Sequence, residues 1–231
     1  DTAVRRIICI GEPTATRIGE PNLLAQRICS RWNVALHSTY ASTEMATAST
    51  EMRPATGHAV QPQLLFVEVL DEWDRPVAPG ETGEVVATPL HVEAMPLLRF
   101  RTGDICSWQE GALPNGGFGT LLGPVLGRKE QRMKIKGTTL FPAQVIDALN
   151  NDARVRRFAV LRDMDEHGLD QLSVMVHAPD GSLADIGEAL RSSLRLLPHL
   201  VSASEADIEA VTSSPEKRKP TLFIDRKPLI P

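Results

Sequence analysis

Apolar positions along the chain fall into two spacings. "VRRIICI" (4–10), apolar after its two arginines, has the look of a core strand, and "VAL" (34–36) is a short apolar segment of the kind a buried strand leaves in a sequence. Between them, "PNLLAQRICSRW" (21–32) repeats its apolar residues at helical intervals behind Pro21. Strand, helix, strand predicts a βαβ unit with parallel strands, the second ending in the polar cluster His37 to Tyr40. Ligands collect at that edge of an α/β sheet, which directs attention to "TYASTEMATASTEM" (39–52), where Ser-Thr-Glu-Met occurs twice. The first copy follows the strand directly. The second precedes Pro54 and Gly57 and reads as a loop or frayed turn. Thr43 and Glu44 of the first copy are therefore the candidates for chemistry.

From about Leu64 the pattern changes to short strand-like runs, "QLLFVEVLDE", "RPVAPGETGEVVATPL" and "MPLLRFRTGDICSW", with Gly80, Gly83 and Gly103 at the turns. This spacing predicts a small antiparallel sheet or barrel. Lys134 and Lys136 flank Ile135 as in a hairpin, and Pro142 opens an amphipathic helix with Val145, Ile146 and Leu149 on one face. Two further strand-like runs, "VRRFAVLRD" and "LDQLSVMVHAPD", precede the helix "ADIGEALRSSLRLL" and a basic tail. Two helices against a few strands predict a small α+β domain. The expected boundary puts residues 1–129 in the first domain and 130–231 in the second.

Composition narrows the function classes. With 231 residues, 42% hydrophobic and 23% charged, the chain has the makeup of an ordinary soluble protein of one or two domains. A net charge of −4 argues against a general nucleic-acid binder, and charges cut every apolar run short of a membrane span. No secretory signal is visible. Cys9, Cys29 and Cys106 are odd in number and widely spaced, so no disulfide framework or CxxC metal site is expected and a reducing, cytoplasmic setting fits best. A core-like strand only a few residues after Asp1 leads us to expect a fragment whose N-terminal part lies upstream.

The motifs together resemble a known family. "GETGEVVATPLHVEAMPLLRFRTGD" followed by "LGRKEQRMKIKGTTLFP" is similar to the core of the AMP-forming, adenylate-forming enzymes, and "AMPLLRFRTGD" with "IKGTTLFPAQV" to their phenylacetate-CoA ligase branch. With Gly11-Glu12-Pro13 and "YASTE", the motifs occur in family order over essentially the whole chain. The resemblance implies an α/β fold: the end of a large adenylation domain with a small antiparallel β-barrel, then a mobile α+β C-terminal domain. It implies activation of a carboxylic acid by ATP with Mg²⁺, and transfer of the acyl group to coenzyme A. No nucleic acid or membrane partner is implied, and a homodimer is a common arrangement in the branch.

Carried over by position, the resemblance puts Gly11, Glu12, Pro13, Tyr40, Ala41, Ser42, Asp104 and Arg128 around the nucleotide. Tyr40, the single tyrosine in the chain, would stack on adenine. Thr43 would donate to a phosphate, and Glu44 would hold Mg²⁺ as a hard oxygen ligand. Asp104 would accept from the ribose hydroxyls, having acceptor sites for both, with Arg128 as a second ribose contact. Glu130 takes the hinge position, although "GRKEQ" replaces the family's Asp-Asp with Glu-Gln. Gly137 would border the coenzyme A tunnel, where a residue without Cβ permits close approach.

Lys219 takes the slot of the lysine that stabilises charge as the adenylate forms, with Arg218 in place of the usual glycine and Lys217 as a rival. The family's Ser/Thr/Gly-rich phosphate loop has no match here, and His58 alone makes no zinc site. Two other functions stay open: a nucleotide-binding module without turnover, and an adenylating enzyme that serves a carrier-protein thiol.

Overall fold

The first strand, β1 (Arg6–Ile10), is followed by a small hairpin of β2 (Ala15–Arg17) and β3 (Glu20–Pro21), then by helix α1 (Leu23–Trp32) and strand β4 (Ala35–Ala41). β1 and β4 pair in parallel, with Ile10 opposite Thr39, so the expected βαβ unit is present. Asn22 caps α1 by accepting the Ala25 N–H at 2.9 Å, and Asn33 ends it in the left-handed conformation. The computed structural model describes residues 3–113, 116–165, 169–213 and 220–226, and its contacts divide the chain into two units, Asp1–Lys129 and Glu130–Pro231.

The second Ser-Thr-Glu-Met copy is not a loop. Most of it lies in β5 (Ala48–Glu51), antiparallel to β4 with Thr39 opposite Thr50 and Tyr40 opposite Ser49. Ser49 and Glu51 alternate inward. Glu51 is buried because the Ser38 N–H donates to its Oε2 at 2.8 Å, giving the carboxylate a partner that a loop reading cannot foresee.

Unit 1 continues through β6 (His58–Ala59), β7 (Leu65–Leu70), β8 (Thr82–Pro89), β9 (Phe100–Ala112), β10 (Phe118–Leu122) and β11 (Gly127–Arg128). These join the first strands in one sheet of order β1-β4-β5-β6-β10-β9-β8-β7, with β11 on β9. The expected small barrel is corrected: among the described residues no pairing closes the path, and β1 and β7 stand at its ends. The long strand β9 explains the architecture, since one of its edges serves β10 along Trp108 to Ala112 and β11 at Asp104 and Ile105. Its other edge pairs with β8. A strand so shared extends the sheet instead of returning it to its start. Val85, Ala87, Cys106 and Leu122 are almost fully buried beside Tyr40 and Met45. Burial of each large aliphatic side chain contributes about 1.5–3 kcal/mol.

A 3-10 turn spanning Lys129–Gln131 begins at the last residue of unit 1, and unit 2 continues with a hairpin of β12 (Met133–Ile135) and β13 (Thr138–Leu140). Its two turn residues, Lys136 (φ 48°) and Gly137 (φ 83°), both have positive φ, as a two-residue hairpin demands. Helix α2 (Pro142–Asn150) starts at the expected proline, and its face of Val145 and Leu149 is buried. β14 (Arg157–Met164) and β15 (Asp170–His177) form an antiparallel ladder, followed by α3 (Leu183–Leu194), β16 (His199–Ser202), α4 (Glu205–Thr212) and β17 (Phe223–Asp225).

The sheet order is β16-β15-β14-β17, with both outer strands parallel to their neighbours. Helix α4 is a third helix where two were expected. Its start is marked by a capping box in which Ser204 and Asp207 satisfy each other's backbone N–H groups. The core of this unit centres on Leu149, Val160, Val174 and Ile186.

Candidate functional site

Because β1 and β4 are parallel neighbours, the residues that follow each of them emerge at one sheet edge. After β1 comes Gly11, whose φ of 77° lets the chain turn, then Glu12 and Pro13, all exposed. The Pro13 carbonyl accepts from Asn22 Nδ2 at 2.8 Å, so the cap of α1 also anchors this loop. After β4, Ala41 leads into a turn at Ser42, Thr43 and Glu44, closed by the Ala46 N–H donating to the Thr43 carbonyl at 3.2 Å. Met45 is buried beneath this turn, whereas the Thr43 and Glu44 side chains are exposed. The first copy thus offers an accessible hydroxyl and carboxylate that the second does not.

Asp104, on β9, gathers the other predicted residues. The Tyr40 hydroxyl donates to its Oδ2 at 2.9 Å, and Arg128 Nε lies 2.9 Å from its Oδ1. Arg128 reaches it because β11 pairs with β9 so that Arg128 stands opposite Asp104. Asp104 is 8% exposed, while the Arg128 side chain is 62% exposed and keeps much of its guanidinium open to solvent. Tyr40 is also 8% exposed and packs in the core, its ring 6.3 Å from that of His58. Burial, with Asp104 nearby, raises the Tyr40 phenol far above its ordinary pKa and keeps it a neutral donor.

Glu44 is held below the usual carboxylate range, first by its own backbone N–H, then by the Ser42 hydroxyl and with help from the Arg128 charge. An exposed carboxylate kept ionised in this way fits a hard divalent cation. Arg128 therefore acts on two of the predicted acids.

In unit 2, Glu130 lies exposed in the 3-10 turn, and its carbonyl accepts from Arg162 Nη1 at 3.2 Å. Gly137 sits at an exposed hairpin tip where an added Cβ would meet, among the described residues other than its chain neighbours, nothing within 4 Å. Lys217 and Lys219 fall outside the described residues.

Several buried polar groups were not anticipated. Glu84, 5% exposed, ion-pairs with both Arg101 and Lys129, the latter at 2.8 Å. His58 is buried with Nδ1 3.3 Å from the Gly123 carbonyl and no partner for Nε2 among the described residues. Its pKa is lowered, chiefly by burial. Arg162 is buried among carboxylates of its own unit. Glu84 and Arg162 each stand as a charge in a strand buried at five consecutive positions, next to runs such as Val85–Ala87 and Ala159–Leu161 that could have flagged them, but their partners are set by strand register. No group of three or more metal-binding side chains occurs among the described residues. Nor, among them, is any helix long and apolar enough to cross a membrane.

Comparison with known proteins gives the same direction as the motifs. No family model matches the chain. It is 32% identical over 126 residues to the phenylacetate-coenzyme A ligase of Thermus thermophilus, covering 54% of this chain and 28% of that protein. It is 28% identical over 177 residues to the phenylacetate-coenzyme A ligase of Aromatoleum evansii, covering 71% of this chain and 38% of that protein. The chain thus spans well under half the length of these relatives.

Among solved structures, it superposes on 2-hydroxyisobutyryl-CoA ligase in the postadenylation state with R3-HIB-AMP at a TM-score of 0.72 and 19% identity, covering 96% of this chain and 48% of that one. That likeness shows a shared mixed α/β fold. The resemblance to the phenylacetate-CoA ligase branch, read from the motifs, is found in the sequence relatives as well.

Proposed function

We propose that the full gene product is an AMP-forming carboxylic acid–coenzyme A ligase acting on an aryl or related acid, and that this chain supplies part of its nucleotide site and the C-terminal unit. The observation that carries the reading is the set of Tyr40, Asp104 and Arg128, joined by two 2.9 Å contacts in the same unit as the exposed Thr43–Glu44 turn. Asp104, fixed on both oxygens, keeps further lone pairs for the ribose hydroxyls. Tyr40 serves this site from within the core, its hydroxyl committed to Asp104 and its ring left to border the adenine.

Thr43 donates to phosphate, and Gly11, Glu12, Pro13, Ala41 and Ser42 line the same edge with backbone. Glu44 would hold Mg²⁺, which when bound supplies neutralisation of phosphate charge. Lys219 offers its ammonium to the carboxylate and α-phosphate oxygens as the adenylate forms. Glu130 is the pivot about which the second unit turns before the coenzyme A thiol attacks the acyl carbon beside Gly137, forming the C–S bond as the acyl C–O bond to phosphate breaks, AMP leaves and the thiol proton is lost. The three free cysteines suit a cytoplasmic enzyme, and a homodimer follows from the family resemblance.

The test is AMP release from ATP, coenzyme A and a panel of aryl and short-chain acids by the full gene product, with Lys219→Ala and Lys217→Ala beside the wild type. Acid-dependent AMP that collapses only in Lys219→Ala supports the ligase and the lysine together. Nucleotide binding without AMP from any acid favours a binding module instead, a reading to which Arg218, standing where the family has glycine, lends weight. Turnover that does not saturate with coenzyme A would point to a carrier-protein thiol.

A further inference from the structure

Two consecutive cations close unit 1, and each is taken up by a buried carboxylate on a neighbouring strand. Arg128 stands against Asp104 of β9, and Lys129 Nζ donates to Glu84 Oε2 of β8 at 2.8 Å. Register brings both within reach. Ile105 pairs with Gly127 on one edge of β9 and with Glu84 on the other, so Glu84 lies one row from the Arg128–Asp104 pair. Immediately beyond, the β8–β9 register shifts. There Thr102 Oγ1 donates to the Val85 carbonyl at 2.8 Å and accepts the Asp104 N–H at 3.1 Å, an irregularity of the kind that re-aims side chains.

Fold maintenance accounts for one partner of Glu84, not for two. Arg101 already matches its charge and ties β8 to β9. Glu84, with its side chain 5% exposed, needs a partner because an unpaired buried charge is costly, whereas the Lys129 side chain is 43% exposed and would be well solvated without the carboxylate. The second pair therefore does more to Lys129 than for Glu84. It holds the last residue of unit 1 against the sheet just after β11, a strand of two residues, has ended. The next residue is Glu130, the first of unit 2.

We propose that Glu84 is a positioning residue: through Lys129 it fixes the unit 1 side of the hinge, so that turning is confined to Glu130 and the residues after it. The inference rests on the ligase reading given above and deepens it. A pivot fixed on one side returns unit 2 to the same placement in every cycle. One that spreads back through Lys129 and Arg128 samples many placements, and reacting groups held less well in place react more slowly.

The full gene product carrying Lys129→Met tests this, because the ammonium is lost while Glu84 keeps Arg101. With the acid that yields AMP in the wild type, kcat is expected to fall about tenfold in adenylate formation. A similar fall is expected in thioester formation from supplied acyl adenylate and coenzyme A, since both stages need unit 2 in place. The KM for ATP is expected to stay within about twofold, the nucleotide contacts of unit 1 being untouched. Lys129→Arg restores a cation of similar reach and is expected to return both rates to within about threefold of the wild type. Thermal midpoints of both variants should lie within about 4 °C of it, as a half-exposed ion pair contributes little to stability.

Lys129→Met at wild-type rates, a slowing confined to one half-reaction, or a raised KM for ATP with kcat unchanged each overturns the inference and leaves the ligase reading standing. So does Lys129→Arg as slow as Lys129→Met. A thermal midpoint that collapses along with the activity makes the pair a structural one and overturns the inference too. A wild type that makes no AMP from any acid overturns the ligase reading first and the inference with it.

Discussion

The Tyr40 hydroxyl donates to Asp104 Oδ2 at 2.9 Å, joining the end of β4 to the middle of β9 across residues far apart in sequence. Burying a carboxylate without hydrogen-bond partners is costly, and with Arg128 on the other oxygen Asp104 has a partner for each.

Removing one of them has a measurable cost. Tyr40→Phe keeps the ring packing and deletes the hydrogen bond, so unfolding free energy in urea is expected to drop by about 1.5–3 kcal/mol, the range for a hydrogen bond to a charged group. AMP binding measured by calorimetry should weaken in the same variant, since Asp104 loses its fixed orientation. Unchanged stability would mean that the hydroxyl finds another partner.

Glu44 offers a comparison between two neighbours. The Ser42 hydroxyl lowers its pKa more than the Arg128 charge does, and its own backbone N–H more than either. Side-chain NMR titration should therefore show the Glu44 pKa rising further in Ser42→Ala than in Arg128→Gln, without reaching the ordinary value in either. The opposite order would mean that the charge dominates the local hydrogen bonds.

His58 should make stability depend on pH. Its folded pKa lies below the ordinary histidine value of about 6.5 because burial disfavours the charged ring. Above 6.5 both folded and unfolded forms are neutral and the residue exerts no pull. As pH falls below 6.5 the unfolded chain takes up the proton first, so stability declines until the folded pKa is passed. Urea midpoints measured between pH 7.5 and about pH 5 should fall in the wild type and fall less in His58→Gln. Parallel curves for the two proteins would remove His58 from the account.

Gly137→Ala probes a backbone requirement without a clash. The added Cβ meets nothing within 4 Å among the described residues other than its chain neighbours, yet the φ of 83° is left-handed, so about 1–2 kcal/mol of stability should be lost in thermal unfolding. In the ligase reading, the thioester step suffers as well, while adenylate formation does not.

How far sequence leads differs by element. The βαβ unit is readable because its apolar runs and helical spacing are local facts, and so is the α2 start at Pro142. β5 is not, because Ala-Ser-Thr-Glu has no apolar alternation and its burial depends on a backbone N–H from Ser38 in the neighbouring strand. The open path of the large sheet was equally hidden: hairpin spacing shows which strands are adjacent, not whether the last meets the first. At the site, the loops after β1 and β4 follow from parallel pairing. The Arg128–Asp104 contact follows from the register of a two-residue strand, which no spacing rule reveals. Tyr40 was legible as a residue of interest, but its depth in the core was not.

The place of β17 in its sheet also orders events in time. β14 and β15 leave the ribosome before β17 and can pair with each other at once, but the edge of β14 at Val160 must wait for Phe223, and Arg162 must wait for Asp225. During synthesis that edge stays open, with an incompletely matched guanidinium beside it, until nearly all of the chain described here has emerged. Unit 2 is therefore a structure that nascent chains hold half-finished, and the interval in which it could pair with the wrong strand is set by the speed of translation.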